Sequence, residues 1–344
     1  MQPMLADLLR GPWAVQPDRL PFICAALASA ACRVAEPPAT PCAARTGAAT
    51  SAARRRQGDS SAIAVLPFYG VAVQRADALG EAIGLLSLAR FTQAFRAALA
   101  DDAVSAILID VDSPGGSVYG IAELAEEIYR ARARKPIGAI ANSLAASGAY
   151  WVASAAREFY VTPGGEAGSI GVVTAHQDVS KAHGKAGVET TLISAGKYKT
   201  EGNPFEPLGA DARHHVQSRV DDYYRMFTGA VAKHRGVTES AVRTDFGRGR
   251  LLDAQRAKRE GMVDGVATID EVVRKLALLV GQGKIANASR VAAARQQEFD
   301  ALARPIQDSN FNRTRFIGAS AASESVRAVA ARRARQRVIA ILSL

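Results

Sequence analysis

Short apolar runs alternate with amphipathic stretches of helical length between residues 62 and 280, and this alternation is the feature that most constrains the fold. Strands are predicted where the runs have strand length, at 62–68, 106–111, 137–141, 159–162, 170–174 and 189–193. Helices are predicted at 88–99 behind the N-cap residue Ser87, at 118–134, 147–156, near 180–185, at 210–234, and in a segment that ends near 278. Strands separated by helices form mainly parallel sheets that helices cover on both faces. The sequence therefore predicts an α/β domain over residues 62–280.

The two flanks of this domain differ from it in composition. The N-terminal segment, residues 1–32, is predicted to be helical; its apolar run Leu20–Cys32 is shorter than the roughly 20 residues that a membrane-spanning helix needs. A signal-peptide core is the alternative for this run. Residues 33–61 consist mainly of small, polar and basic residues and are predicted to be a disordered linker. Residues 281–344 are predicted to be a basic tail, partly helical or disordered.

The formal charge of +10 is not spread evenly along the chain. Residues 61–280 carry 25 basic and 25 acidic side chains, whereas residues 281–344 carry 11 basic and 4 acidic ones. A basic tail of this kind is typical of a solvated appendage or of a contact arm, so no specific nucleic-acid partner is predicted for the domain. The three cysteines, Cys24, Cys32 and Cys42, show no C-x-x-C spacing, and neither a zinc site nor a disulfide framework follows.

The first segment that could take part in catalysis is Asp112–Ser117, where a buried strand is predicted to meet a helix. Two adjacent glycines, Gly115 and Gly116, let the backbone bend sharply with its amides exposed. Such amides can bind the oxyanion that forms when a peptide carbonyl is attacked. A tight turn without any catalytic role would use the same residues, so this segment alone decides nothing.

The second segment is Asn142–Tyr150, again between a predicted strand and a predicted helix. Ser147 stands at the start of that helix, in the arrangement of a nucleophile elbow, although the local sequence is not G-x-S-x-G. An ordinary N-cap serine is the alternative. Ser143 precedes the corner and Ser154 lies inside the helix, so both are weaker candidates.

A serine hydroxyl needs a base, and the downstream sequence offers two. Lys199 follows a predicted strand and has Lys197 as a near neighbour; His176 lies close to Asp178. A lysine acts as a base only when it is neutral, which requires burial or cationic neighbours to lower its pKa from about 10.4. The residues by themselves leave open a Ser/Lys pair, a Ser/His/Asp arrangement and two structural side chains.

Four ordered blocks of the chain resemble peptidase family S49; they are Asp112–Gly116, Ala145–Tyr150, Gly168–Val172 and Ser194–Lys199. The resemblance covers roughly residues 62–280. It implies a ClpP/crotonase-like fold and a Ser/Lys dyad that needs no metal or cofactor. Carried over residue by residue, it implies that Ser147 is the nucleophile and Lys199 the base, that Ser169 orients the lysine amine, and that Gly115 or Gly116 forms the oxyanion hole with Gly148.

Within that family the chain is most similar to phage and prophage head maturation proteases, through the segments Ala149–Trp151, His176–Ser180, Gly202–Leu208 and Leu9–Val15. This resemblance implies a protein or peptide substrate, such as a scaffold, portal or capsid protein, and a homo-oligomeric ring. It also implies a location in the host cytoplasm or the prohead interior, without stable membrane insertion. The alternatives are a membrane-associated signal peptide peptidase and a noncatalytic head-assembly scaffold on the same fold.

Overall fold

The computed structural model describes residues 12–15, 62–77, 80–81 and 84–281. All of them belong to the first of two compact units, Met1–Asn287, and the second unit, Ala288–Leu344, lies outside the described residues. The predictions of a disordered linker at 33–61 and of a basic tail at 281–344 also concern residues outside the described part, apart from Gly281, which ends a helix. So does most of the predicted helical segment 1–32.

Three strands of the described residues have eight to ten residues, and the others are shorter. The strands are β1 (Trp13–Val15), β2 (Ala62–Tyr69), β3 (Val71–Val73), β4 (Leu85–Ser87), β5 (Val104–Ser113), β6 (Gly115–Ser117), β7 (Ile137–Ala146), β8 (Glu158–Val161), β9 (Glu166–Gly168), β10 (Leu251–Asp253) and β11 (Gly265–Val266). The helices are α1 (Leu88–Ala100), α2 (Ile121–Ala131), α3 (Gly148–Ser154), α4 (Ser180–Lys185), α5 (Ala210–Arg235), α6 (Glu239–Thr244), α7 (Ala254–Arg259) and α8 (269–281).

The larger sheet has the strand order β10-β9-β7-β5-β2, and β8 joins β7 to β11. Its strand pairs are parallel except for β10 and β9, which are antiparallel. β7 forks, because residues 138–141 pair with β8 whereas residues 144–146 pair with β9. The predicted α/β architecture with a mainly parallel sheet is thus confirmed.

Helices pack on both faces of this sheet. Along β5, Ile107 and Ile109 point into the larger core cluster beneath α1, α2, α3 and α5, whereas Ala106 and Leu108 point to a second cluster with Leu276 of α8. A strand buried on both faces is largely apolar, which explains why residues 106–109 in the middle of β5 form a continuous apolar run rather than an alternating one. Ser87 caps α1 as predicted, since its hydroxyl accepts a hydrogen bond from the Arg90 N–H at 3.4 Å.

A smaller sheet with the order β1-β6-β3-β4 lies at the carboxyl end of β5. β6 follows β5 after a single residue and pairs in parallel with β3 through Gly116 and Ala72. On its other edge β6 pairs antiparallel with β1. This small sheet places the Gly115–Gly116 turn beside the end of β7.

Three of the predicted elements are wrong in the described residues. Residues 170–174 form no strand and make only one isolated bridge, between Val173 and Trp13, and residues 189–193 are irregular and exposed. Both runs are apolar enough to suit a strand, but the larger sheet is complete without them, so tertiary context overrides local pattern. Within the predicted helical segment 1–32, residues 13–15 form β1 instead, because an edge of β6 accepts them as a partner strand.

Candidate active site

Ser147 occupies the corner between β7 and α3. Its backbone has φ 54° and ψ −117°, in a region that side chains other than glycine rarely adopt. The corner is held by a hydrogen bond from the Ser147 N–H to Gly168 O at 2.6 Å, and by another from the Trp151 N–H to Ser147 O at 3.0 Å. A strained strand-to-helix turn that carries a serine is the geometry of a nucleophile elbow. We call residues 145–151 the Ser147 corner.

The Ser147 side chain faces the segment that follows β9. Its hydroxyl donates to Gly171 O at 3.3 Å, and the residue is only 1% exposed. Ser169 lies in the same segment, is itself nearly buried, and also has a positive φ of 53°. The Ser169 N–H donates to Arg250 O at 2.8 Å, whereas its hydroxyl has no hydrogen-bond partner among the residues that the structure describes. The structure therefore brings Ser147 and residues 168–171 together.

The Gly115–Gly116 turn packs against the Ser147 corner. Gly115 has φ +99°, and a Cβ added there would lie 3.0 Å from Gly148 N, so the backbones of the two predicted oxyanion-hole residues are close. The Ser113 hydroxyl fixes the turn, because it accepts from the Gly115 N–H at 3.2 Å and donates to Gly70 O at 2.6 Å. At Gly116 a Cβ would lie 1.9 Å from Ala72 O, so only glycine fits between β6 and β3.

Lys199 lies in a different environment. It belongs to a segment of residues 178–206, here called the arm, that is closed by a hydrogen bond from the Val179 N–H to Pro204 O at 2.8 Å. Residues 186–199 of the arm are all exposed. Every hydrogen bond and ring contact that the arm makes with described residues ends inside the arm. The Lys199 ammonium group has no partner in this part of the chain, and the structure does not bring it to Ser147.

The rival bases are also apart from Ser147. Lys197 places its ammonium group over the Tyr198 ring, 4.8 Å from the centroid. Asp178 accepts a hydrogen bond from the Ser180 N–H at 2.9 Å, and hydrogen bonds to Ser180 lower its pKa. His176 makes no hydrogen bond to either Ser147 or Asp178. A Ser/His/Asp arrangement is therefore not assembled among these residues.

Ser154, the weaker serine candidate, has a structural environment. Its hydroxyl donates to Trp151 O at 2.8 Å and lies 3.0 Å from His234 Nδ1. Burial, followed by the positive charges of Arg132 and Lys233, lowers the pKa of His234 to about 4. The imidazole stacks on Tyr129 with ring centroids 5.1 Å apart. This neutral, buried histidine links α3 to α5 and was missed in the sequence, where nothing distinguishes it from its exposed neighbours on α5.

The sequence analysis also missed that residues 13–15 lie at this site. A Cβ added at Gly148 would lie 3.2 Å from Ala14 O and 3.6 Å from the Ala14 Cβ, so β1 runs directly past the Ser147 corner. The apolar triplet Trp13–Val15 after Pro12 is a weak strand signal by itself, and the preceding residues offer no turn that would point to β6. Only the tertiary pairing reveals its position.

No group of three or more histidine, cysteine, aspartate or glutamate side chains that could hold a metal ion occurs in residues 12–15 and the described ranges from 62 to 281. Across the same ranges, no helix combines the length and the apolar character that a membrane crossing needs.

Comparison with known proteins relates part of the chain to a peptidase family. Residues 130–283 match the sequence model of peptidase family S49. The chain is 34% identical over 215 residues to the head-tail preconnector protein GP5 of Enterobacteria phage P21, a match that covers 62% of this chain and 42% of that protein. It is 39% identical over 180 residues to the capsid assembly protease C of Escherichia phage lambda, covering 52% of this chain and 41% of that protein.

A third relative, the putative signal peptide peptidase SppA of Enterococcus faecium, is 29% identical over 177 residues, which are 51% of each chain. Among solved structures, a 1510-N membrane-bound stomatin-specific protease (S97A mutant) is similar at 14% identity with a TM-score of 0.41, covering 62% of this chain and 84% of that one. The chain spans less than half the length of the two phage relatives that it matches. Residues 130–283, which are less than half of the chain, are therefore similar to peptidase family S49.

Proposed function

We propose that this chain is a serine endopeptidase in which Ser147 attacks the substrate carbonyl and Lys199 acts as the general base. The observation that carries this proposal is the strained corner at Ser147, whose hydroxyl lies between the 168–171 segment and the Gly115–Gly116 turn. Backbone strain persists only where the surrounding structure enforces it, and it is concentrated at functional sites. We also retain a ClpP/crotonase-like fold as part of the proposal.

In the proposed reaction, Ser147 Oγ attacks the peptide carbonyl while its proton passes to Lys199 Nζ. Backbone amides of Gly115 or Gly116 and of Gly148 stabilise the resulting oxyanion. The lysine then returns the proton to the leaving amine, and an acyl-enzyme on Ser147 remains. Water hydrolyses this ester with Lys199 again acting as base, and Ser169 orients the amine throughout. The residues named need no metal or cofactor for these steps.

We infer that assembly brings the base to the Ser147 corner. Because Lys199 is exposed on the arm, we propose that the arm of one copy docks against the Ser147 corner of a neighbouring copy in a closed ring. The arm exposes large apolar side chains that a neighbour would cover, Val188, Leu192, Ile193 and Tyr198. Docking would also exclude water from the surroundings of Lys199.

The substrate proposal follows from the phage relatives. One of them is named a capsid assembly protease and another a head-tail preconnector protein. We propose that the present chain cleaves a scaffold, portal or capsid protein during head assembly, in the prohead interior or the host cytoplasm. The similarity to a putative signal peptide peptidase favours a second candidate, a membrane-associated peptidase that degrades cleaved signal peptides. Membrane fractionation of the expressed chain separates the two, since firm retention in the membrane supports the second.

Coexpression with the neighbouring head genes tests the activity. Mass spectrometry of the products should find defined cleavage with the wild-type chain and none with Ser147→Ala. Ser143→Ala is the matched control, because Ser143 is exposed and precedes the corner on the same strand, and cleavage should persist. Cleavage that survives Ser147→Ala contradicts the proposal, and a chain that assembles heads without cleaving any component supports a noncatalytic scaffold.

Mixing two inactive variants tests the shared site. If Ser147 and Lys199 come from different copies, Ser147→Ala subunits mixed with Lys199→Ala subunits should regain activity, because some interfaces then hold an intact pair. If both residues come from one copy, the mixture stays inactive. Each variant alone provides the baseline, and size-exclusion chromatography with light scattering verifies that mixed assemblies form.

A further inference from the structure

β1 lies in the small sheet like a bound peptide. One edge pairs antiparallel with β6, with Ala14 opposite Gly116 and Val15 opposite Gly115. On the other edge, Trp13 and Val173 exchange two hydrogen bonds, the Trp13 N–H to Val173 O at 2.8 Å and the Val173 N–H to Trp13 O at 2.9 Å. Addition of an extended segment to an open strand edge is a common mode of peptide recognition. β1 thus fills a slot between β6 and residue 173.

This slot passes the residues proposed to perform catalysis. Ala14 O lies 2.1 Å from the point where a Cβ of Gly115 would be, and Gly148 N lies 3.0 Å from the same point. The carbonyl oxygen of Ala14 is therefore next to the backbones of two proposed oxyanion-hole residues. A substrate carbonyl has to lie beside these backbones for Ser147 to attack it. β1 and a substrate strand cannot both occupy this space.

The side chains of β1 also alternate as those of a recognised peptide do. Trp13 and Val15 pack with Val73 in a small apolar cluster that is separate from the two larger ones. Ala14 points to the opposite side, where it packs near Gly148 and Ile121. Alternate side chains that enter separate pockets provide the specificity of strand-addition grooves. The pairing supplies the backbone contacts, and these pockets hold the segment in register.

We propose that residues 13–15 are an internal occupant of the peptide-binding groove, which a substrate strand has to displace before Ser147 can act. This inference rests on the proposed function for the identity of the groove. An occupant on the same chain competes at a high effective concentration. The apparent affinity for an external peptide is then reduced by the fraction of molecules in which the groove is open.

Peptide binding to a catalytically silent chain tests the proposal. The probe is a fluorescein-labelled peptide with the sequence of residues 9–15, measured by anisotropy against the Ser147→Ala chain and the Ser147→Ala, Ala14→Pro chain. The N–H and C=O of Trp13 bond to Val173, so the N–H and C=O of the next residue, Ala14, face β6. Proline at position 14 has no N–H and therefore removes one hydrogen bond to β6. We expect at least tenfold tighter binding by the Ala14→Pro chain. The same peptide with proline in place of its alanine is the control and should bind neither chain.

Hydrogen exchange on the Ser147→Ala chain provides a second measurement that does not depend on the Ala14→Pro variant folding correctly. Saturating probe peptide should raise the exchange of the Trp13, Ala14 and Val15 amides to that of an unstructured segment, while β5 stays protected. Unchanged affinity in a folded Ala14→Pro chain, or unchanged protection of residues 13–15 at saturation, overturns the inference. Neither readout uses catalysis, so an inactive Ser147 would refute the peptidase proposal and leave this result interpretable.

Discussion

Ser147 and Lys199, which are proposed to share a proton, lie in regions of opposite character. The Ser147 corner is buried and strained, and Ser147 is tied to Gly168 of β9 by its backbone N–H and to Gly171 O by its hydroxyl. The arm that carries Lys199 is exposed, and its hydrogen bonds with described residues all end within itself. The Ser147 half of the proposed site is preorganised by the fold of a single chain, whereas the Lys199 half would have to be completed by the docking that we propose. Variants in the two regions should therefore fail in different ways.

The largest expected effect is on catalysis from the arm. Lys199→Ala should lower kcat/KM for a peptide substrate by about 10²- to 10⁴-fold, the usual contribution of a general base, without changing the melting temperature of the chain. Lys197→Ala is the matched control and should stay within about threefold, because its ammonium group lies over Tyr198. A larger loss of kcat/KM in Lys197→Ala than in Lys199→Ala would assign the base to Lys197.

The Gly115–Gly116 turn beside the Ser147 corner should instead fail by losing stability. Gly116→Ala forces a Cβ to 1.9 Å from Ala72 O, so β6 and β3 have to separate, and we expect the free energy of unfolding to fall by at least about 3 kcal/mol. Gly229→Ala on α5 is the control, because no atom lies within 4 Å of its added Cβ. It should stabilise the chain by up to about 1 kcal/mol through helix propensity. Urea denaturation measures both.

The pH dependence of the free energy of unfolding should report on His234, whose imidazole contacts Ser154 of α3. The His234 pKa is lowered from 6.5 to about 4 in the folded chain, so the unfolded chain takes up the proton first as the pH falls. Stability should therefore drop by about 3 kcal/mol between pH 6.5 and 4, and this contribution should not change further below pH 4. His234→Gln should remove that slope. His214→Gln, on the exposed part of the same helix, should retain it.

The smallest expected effect is on the stability of the arm. Ile193 is 97% exposed, so Ile193→Ser should change the free energy of unfolding of a dilute, unassembled chain by no more than about 0.5 kcal/mol. If the arm docks on a neighbour, the same variant should weaken assembly measurably in light scattering as the protein concentration is varied. Equal assembly of wild type and variant would argue that this part of the arm lies outside the interface.

The elements of the fold also divide into those that could be predicted from the sequence and those that could not. Continuous apolar runs such as β5 and the amphipathic repeat of α2 report burial directly, so the alternating α/β order was predictable. The serine corner was predictable because small residues and a strand-to-helix switch mark it locally. The runs at 170–174 and 189–193 have the same apolar character, yet form no strand, so apolar character alone does not decide whether a segment joins a sheet.

β1 is the opposite case, a strand that the structure shows but the sequence did not predict. Nothing in Trp13–Val15 indicates a partner, since pairing with β6 joins residues about a hundred positions apart. His234 is likewise recognisable only from its contacts with Ser154 and Tyr129. Long-range pairing and burial of single polar side chains are properties of the folded chain, and the local pattern does not encode them.

Covalent labelling of Ser147 tests the central claim most directly. A fluorophosphonate probe, with the adduct located by mass spectrometry, should modify Ser147 in the wild-type assembly and should react at least a hundredfold more slowly with Lys199→Ala, while His176→Ala reacts at the wild-type rate. Labelling of another serine, or labelling of Ser147 that is indifferent to Lys199 and lost in His176→Ala, would contradict the account.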